Sequence, residues 1–307
     1  MNFDIFLDHA WADHATQPAA VAARLAEGVA LAQTDEQVAQ LAFLAQHVHG
    51  QHLGRWAEGL ALQQQLAALP QLLPGGSTAQ ALQRHATVLQ LAGGLATLPA
   101  DTPAAERARF EALTAAALAL FDSPRASVLL QLAETTCATL PDTDAAVRAL
   151  ATSANNIAAA LHDEATLSPE QQALMLQAAA VARRAWARAG TWLEVERADY
   201  RLALCHARAG DTTTARLHAA ACLTLVQAQG QQAQRQPNGP AKEPAAPALE
   251  HFFGWEALAR VEAAAGQADA RAAAVAQAAT WFAQLTEADQ AWCKPALQAL
   301  QAPQAAA

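Results

Sequence analysis

Thr191-Trp-Leu-Glu-Val-Glu-Arg-Ala-Asp-Tyr200-Arg-Leu-Ala-Leu-Cys-His-Ala-Arg-Ala-Gly210-Asp-Thr-Thr-Thr-Ala-Arg216, continued by a second Ala/Leu-rich run to Gln229, decides the fold. Two apolar runs of helical period meet at Ala209-Gly210-Asp211, which leaves room only for a tight turn. That is a helical hairpin, and Ala265-Gly266-Gln267 punctuates another. Hairpins of this kind cannot bury their apolar faces alone. The expectation is therefore an all-α chain of stacked antiparallel hairpins, an α-solenoid with right-handed superhelical winding whose inner surface binds a partner.

Composition agrees. The 307 residues are 53% hydrophobic, yet β-branched and aromatic residues are scarce beside Ala, Leu, Gln, Glu and Arg. These are helix formers, and Ala lets helices approach closely. The net charge of −9 argues against nucleic acid, because phosphate binding wants a basic surface. The charge is uneven: residues 183–216 carry seven arginines against four acids. Cys137, Cys205, Cys222 and Cys293 stand far apart with no Cys-x-x-Cys pair, which reads as buried, reduced packing cysteines. No apolar run approaches a membrane span, and the first residues lack the basic and apolar regions of a secretory signal. A cytoplasmic protein without membrane contact is the expectation.

Helix punctuation organises the rest. Thr34-Asp35-Glu36 opens a helix to Leu53, and 55–69 partners it. Pro74 to Thr78 breaks the chain before a capped helix to Leu91. Asp101-Thr102-Pro103 and Asp122-Ser123-Pro124 each start another. From Pro141 on, three hairpins follow: 143–162 with 169–189, 191–209 with 211–229, and 248–265 with 267–285, capped by 287–301. The expected domains are 1–141, with less regular hairpins, and 142–302. A Gln/Pro-rich insertion at 231–247 reads as a flexible loop, and the tail after Pro303 as frayed.

At these hairpins the chain resembles tetratricopeptide repeats. Asn155-Asn156-Ile157-Ala158-Ala159-Ala160-Leu161 looks like a first helix of such a repeat, and Leu202-Ala203 with Ala209-Gly210-Asp211 and Ala215 matches its small-residue and turn pattern. Trp255, Leu258, Ala259 and Gly266 match again, with Arg271 where a small residue is usual. The likeness covers 143–285, more faintly 35–69, and the whole chain looks like tetratricopeptide-like proteins of proteobacteria. It implies a concave face lined by first helices, on which Asn155, Asn156, Tyr200, Arg201 and Glu256 sit in adjacent rungs, with Phe253 and Arg260 beside Glu256.

Helical arithmetic supports the middle rung. Arg201 lies about 40° from Arg197 and Arg208 about 20° from it, so the three form one stripe with Leu204 among them. Arginine forks suit carboxylates, and Asn can hold a peptide's backbone donor and acceptor together. The reading is a non-enzymatic protein- or peptide-binding scaffold, its partner an acidic segment. The same residues also suit an ordinary solvated helix face.

Other polar groups offer less. His47, His49 and His52 are the one histidine cluster; His49 and His52 are i,i+3 neighbours, and on an α-helix His47 points elsewhere, so His49 and His52 are the weak metal candidates. Asp199 and His206 face the packed side and, if buried, need hydrogen-bond partners. No nucleophile elbow, P-loop, dinucleotide turn or His-Glu-x-x-His occurs, so neither an enzyme nor a cofactor is expected. Alternative readings are a small-molecule or metal pocket between the halves, and a self-associating module.

Overall fold

The computed structural model describes residues 2–235 and 247–302, without side chains for 230–235. Among them the protein is all-helical. The helices are α1 (Phe3–Asp13), α2 (Pro18–Leu31), α3 (Asp35–Gln46), α4 (Trp56–Ala67), α5 (Ser77–Ala92), α6 (Ala104–Leu118), α7 (Ser123–Cys137), α8 (Ala145–Asp163), α9 (Pro169–Ala189), α10 (Trp192–Arg208), α11 (Thr212–Arg235), α12 (Ala248–Ala264), α13 (Ala268–Phe282) and α14 (Glu287–Gln301). A π-helical turn, His47–His52, continues α3.

Most starts follow from their caps. Thr34 Oγ1 accepts the Gln37 N–H at 3.2 Å, Asp122 Oδ1 the Arg125 N–H at 3.2 Å, and Thr191 forms a capping box with Glu194. The break before α5 resolves differently from its sequence signal. Gly76 is the N-cap, and the Thr78 hydroxyl donates instead to Asp35 at 2.5 Å, a carboxylate that also accepts the Leu73 N–H at 3.1 Å. Those hydrogen bonds, Thr78's first, hold the Asp35 carboxyl below its ordinary range. Helix α2, marked in the sequence only by Pro18 in its first turn, is an element that the helix signals above do not include. In the expected 231–247 loop, 231–235 continue α11 and Pro247 is the N-cap of α12. Residues 236–246 and the tail from Pro303 lie outside the described residues.

The chain divides into two compact units, Met1–Leu161 with Ala165–Leu174 and His162–Glu164 with Met175–Ala307. The Pro141–Asp144 junction lies inside the first. There it serves as a helix start, with Asp144 Oδ1 accepting the Ala146 N–H at 2.8 Å.

In the first unit, Phe3 and Phe6 of α1, Leu25 of α2, Leu41 and Leu44 of α3, Leu66 of α4 and Leu82 of α5 share one core. Helices α6 and α7 pack together, and Ala112, Ala115, Ala126 and Ala133 on them are buried. Gly28 sits where α2 meets this core. A Cβ there would stand 2.5 Å from Phe6 Cε1 and 3.0 Å from Leu41 Cδ1. Gly28→Ala therefore has an expected cost of about 1–3 kcal/mol in urea unfolding. The better helix propensity of Ala, worth roughly 1 kcal/mol, is outweighed.

In the second unit, α10 packs on α11, α12 on both, and α13 and α14 on α12. The α10–α11 and α12–α13 turns end alike. Gly210 and Gly266 take φ of 83° and 67°, the left-handed region that a Cβ disfavours. Asp211 N–H reaches back to His206 C=O at 3.0 Å, and Gln267 N–H to Glu262 C=O at 2.9 Å. Ala203, Ala215, Ala219, Ala257 and Val261 form the apolar contact between these pairs, and Phe252, Ala259, Ala274, Ala278 and Leu297 a second core.

Candidate functional site

The arginine stripe on α10 is real as a line of residues, but Arg197 and Arg208 have internal partners. Arg197 Nη2 donates to Glu250 Oε1 at 2.6 Å, and Glu250 is buried. Arg208 donates to the carbonyls of His162 and Glu164, capping the end of α8. Arg201 is half-buried with no acceptor for its Nε–H, and its charge acts on Asp163. Asp163 is held below the ordinary carboxylate range by the His162 hydrogen bond, then by Arg201 and Arg208.

Tyr200 and Glu256 meet directly. The Tyr200 hydroxyl donates to Glu256 Oε2 at 3.0 Å, and Arg260 Nη2 bonds Glu256 Oε1 at 2.6 Å. Glu256 is 1% exposed, so this carboxylate is compensated wholly from within. Phe253 packs edge-on against Tyr200, with centroids 5.7 Å apart, and against Trp292 at 5.4 Å. Burial raises the Tyr200 phenol well above its usual pKa. Tyr200, Phe253 and Glu256 therefore tie α10 to α12.

Other buried acids complete a polar seam. Asp199, 2% exposed, accepts from Arg183 Nε at 2.8 Å and lies 2.9 Å from His218 Nδ1, which meets the requirement that it be hydrogen-bonded. His206, named with it from the sequence, pairs instead with Asp211 at 3.3 Å and stacks on His218. Glu196 is fully buried beside Glu250, and neither of its oxygens reaches solvent. Burial, then the Glu250 charge, pushes its carboxyl up to about 8. Arg216 binds Glu262 through two 2.7 Å contacts. The four cysteines are buried thiols, and burial drives Cys205 up to about 12 and Cys293 to about 11. Such thiols are poor nucleophiles.

One cleft of the second unit gathers several of the named residues. About 370 Å³ in volume, it is lined by Leu204, Ala207, Arg208, Arg260, Arg271 and Leu300, among others. Leu204, Arg208 and Arg260 belong to the expected groove, whereas Arg271 had stood out only as an irregular repeat position. Arg271 donates to the carbonyls of Leu300 at 2.6 Å and Ala302 at 3.0 Å, closing the end of α14. Carbonyl partners satisfy hydrogen bonds without neutralising charge. Arg208 and Arg271 thus bring positive charge that no direct carboxylate contact neutralises among the described residues to a cleft of mixed lining, within the size range of ligand pockets.

Asn155 and Asn156 belong to the first unit and are half-buried on α8. Asn156 lines a separate cleft of about 310 Å³ with Phe43, Gln46, His85 and Arg148. The histidines of that unit differ from their sequence reading. His49 is buried away from the others, with Nδ1 4.0 Å from Glu58. His47 and His52, five residues apart, come together because the π turn closes i to i+5. His14, from the end of α1, joins them.

Comparison with protein-family models, with curated proteins and with solved structures gives no match.

Proposed function

We propose that this chain is a non-enzymatic protein- or peptide-binding scaffold of tetratricopeptide-like, solenoid type. In this reading the arginine-lined cleft of the second unit takes an acidic segment or a chain terminus. What carries it is the pairing of Arg208 and Arg271 with backbone carbonyls rather than carboxylates. Two cations face a cleft floored by Ala207, Ala263, Ala264 and Leu300, and Arg forks bind carboxylates bidentately. The like-ended turns at Gly210 and Gly266 and the protonated, buried thiols support a repeat protein of a reducing, cytoplasmic compartment. The occupant meets the cleft through its carboxylates, while Tyr200, Phe253 and Glu256 tie α10 to α12.

Fluorescence anisotropy with labelled Asp/Glu-rich peptides bearing a free terminal carboxylate tests this. The expected result is binding that weakens with salt and falls about tenfold in both Arg208→Gln and Arg271→Gln, which keep an amide donor for the carbonyls. Unchanged affinity in both variants, or equal binding of Lys-rich peptides, would falsify the reading.

A further inference from the structure

The imidazoles of His14, His47 and His52 converge in the first unit, independently of the cleft just described. One ring nitrogen from each lies within 4.8 Å of the others. His47 Nε2 and His52 Nε2 are 3.1 Å apart, and the ring centroids lie 4.7 to 5.3 Å from one another. Nitrogens bound to one tetrahedral zinc ion at about 2.0–2.1 Å stand roughly 3.4 Å from each other, so two ligands are already at coordination spacing. A small turn of the His14 side chain brings the third.

The other face of the rings is arranged as metal ligands need. His47 Nδ1 is 2.9 Å from Gln51 Oε1, and His14 Nδ1 is 2.5 Å from the Trp11 carbonyl. Both partners are oxygen acceptors, so both Nδ1 atoms carry the proton and both Nε2 atoms keep a lone pair, that of His47 facing His52. Metal-bound imidazoles are oriented by such outer contacts. Trp11 lies against His47 and Phe43 stacks on it, narrowing access for water.

We propose that His14, His47 and His52 form a binding site for one divalent transition-metal ion, zinc by class, with the remaining coordination position open to water or a small anion. The two Nε2 atoms of His47 and His52 share a proton between them, which the ion replaces while His52 carries its proton on Nδ1. Three imidazoles with no carboxylate favour zinc, cobalt, nickel or copper over calcium or magnesium. The ion ties the end of α1 to the π turn.

Zinc titration of tag-free full-length protein tests the site, with cobalt as a visible-absorption reporter. The expected result is one ion per chain, cobalt bands of low-coordinate type, and a zinc-dependent rise in Tm. His14→Ala and His52→Ala should weaken binding by at least about 100-fold, and Gln51→Ala, which keeps every ligand, by about tenfold. His9→Ala, exposed on the same helix, should change nothing. Circular dichroism of each variant separates loss of the site from loss of the fold. Binding that survives in folded His14→Ala and His52→Ala, or no ion retained by the unaltered protein, overturns the proposal.

Discussion

Arg260→Ala should lower the unfolding free energy by about 3 kcal/mol, a loss visible as a shifted urea midpoint. Glu256 is almost wholly buried and carries a charge that only Arg260 opposes at close range, at 2.6 Å. Removing the cation leaves a buried carboxylate that, among the described residues, keeps the Tyr200 hydroxyl as its donor. Breaking a buried pair costs more than the pair contributes, because the partner's desolvation is no longer offset. Replacing both, as Arg260→Met with Glu256→Leu, should therefore recover all but about 1 kcal/mol, the cost of an unpaired Tyr200 hydroxyl. If the double variant is as unstable as the single one, packing rather than charge carries the effect. Arg260 is thus a poor probe of binding at the cleft, although it lines it.

Glu196→Gln should act in the opposite direction. The folded state holds the Glu196 proton up to about 8, whereas the unfolded chain releases it near the ordinary glutamate value of 4.5. Between those values the folded state binds more protons, so stability falls as pH rises, and the contribution is gone above about 8. Glutamine cannot ionise and can still donate toward Glu250. The variant should match the unaltered protein near pH 5 and exceed it by on the order of 3 kcal/mol above pH 8. Denaturation at both pH values gives the answer, and parallel stability curves would refute the assignment.

Helix starts were legible wherever a cap lay next to its helix in the chain. Thr34, Asp122 and Thr191 are of that kind. So were the turn glycines, whose conformation is a local property. Helix α2 escaped because Gln17 makes no side-chain cap and Pro18 alone marks its entry. The stripe of Arg197, Arg201 and Arg208 follows from helical period, but the partners of its members do not. Glu250 is 53 residues from Arg197 and His162 is 46 from Arg208, distances at which periodicity says nothing. The repeat resemblance implies one register for Asn155, Asn156 and Tyr200, yet the two asparagines fall in a different compact unit from Tyr200. The grouping of the histidines differs from the helical count for a geometrical reason. Counting at 3.6 residues per turn places His47 and His52 about 140° apart, and the π turn cancels that angle. His14 lies too far back in sequence for any helical count to include.

The carbonyl bonds of Arg208 and Arg271 carry one more consequence. A long, mobile cation loses rotamer freedom when it grips a ligand, roughly 0.5–1.5 kcal/mol for each side chain immobilised. Here both guanidinium groups are already fastened to helix ends and cannot wander. The entropy that would weaken an anion's binding was surrendered when the chain folded. On the proposed function, a cleft made this way would be a rigid receptor, and its selectivity would rest on where the carboxylates of its guest are spaced.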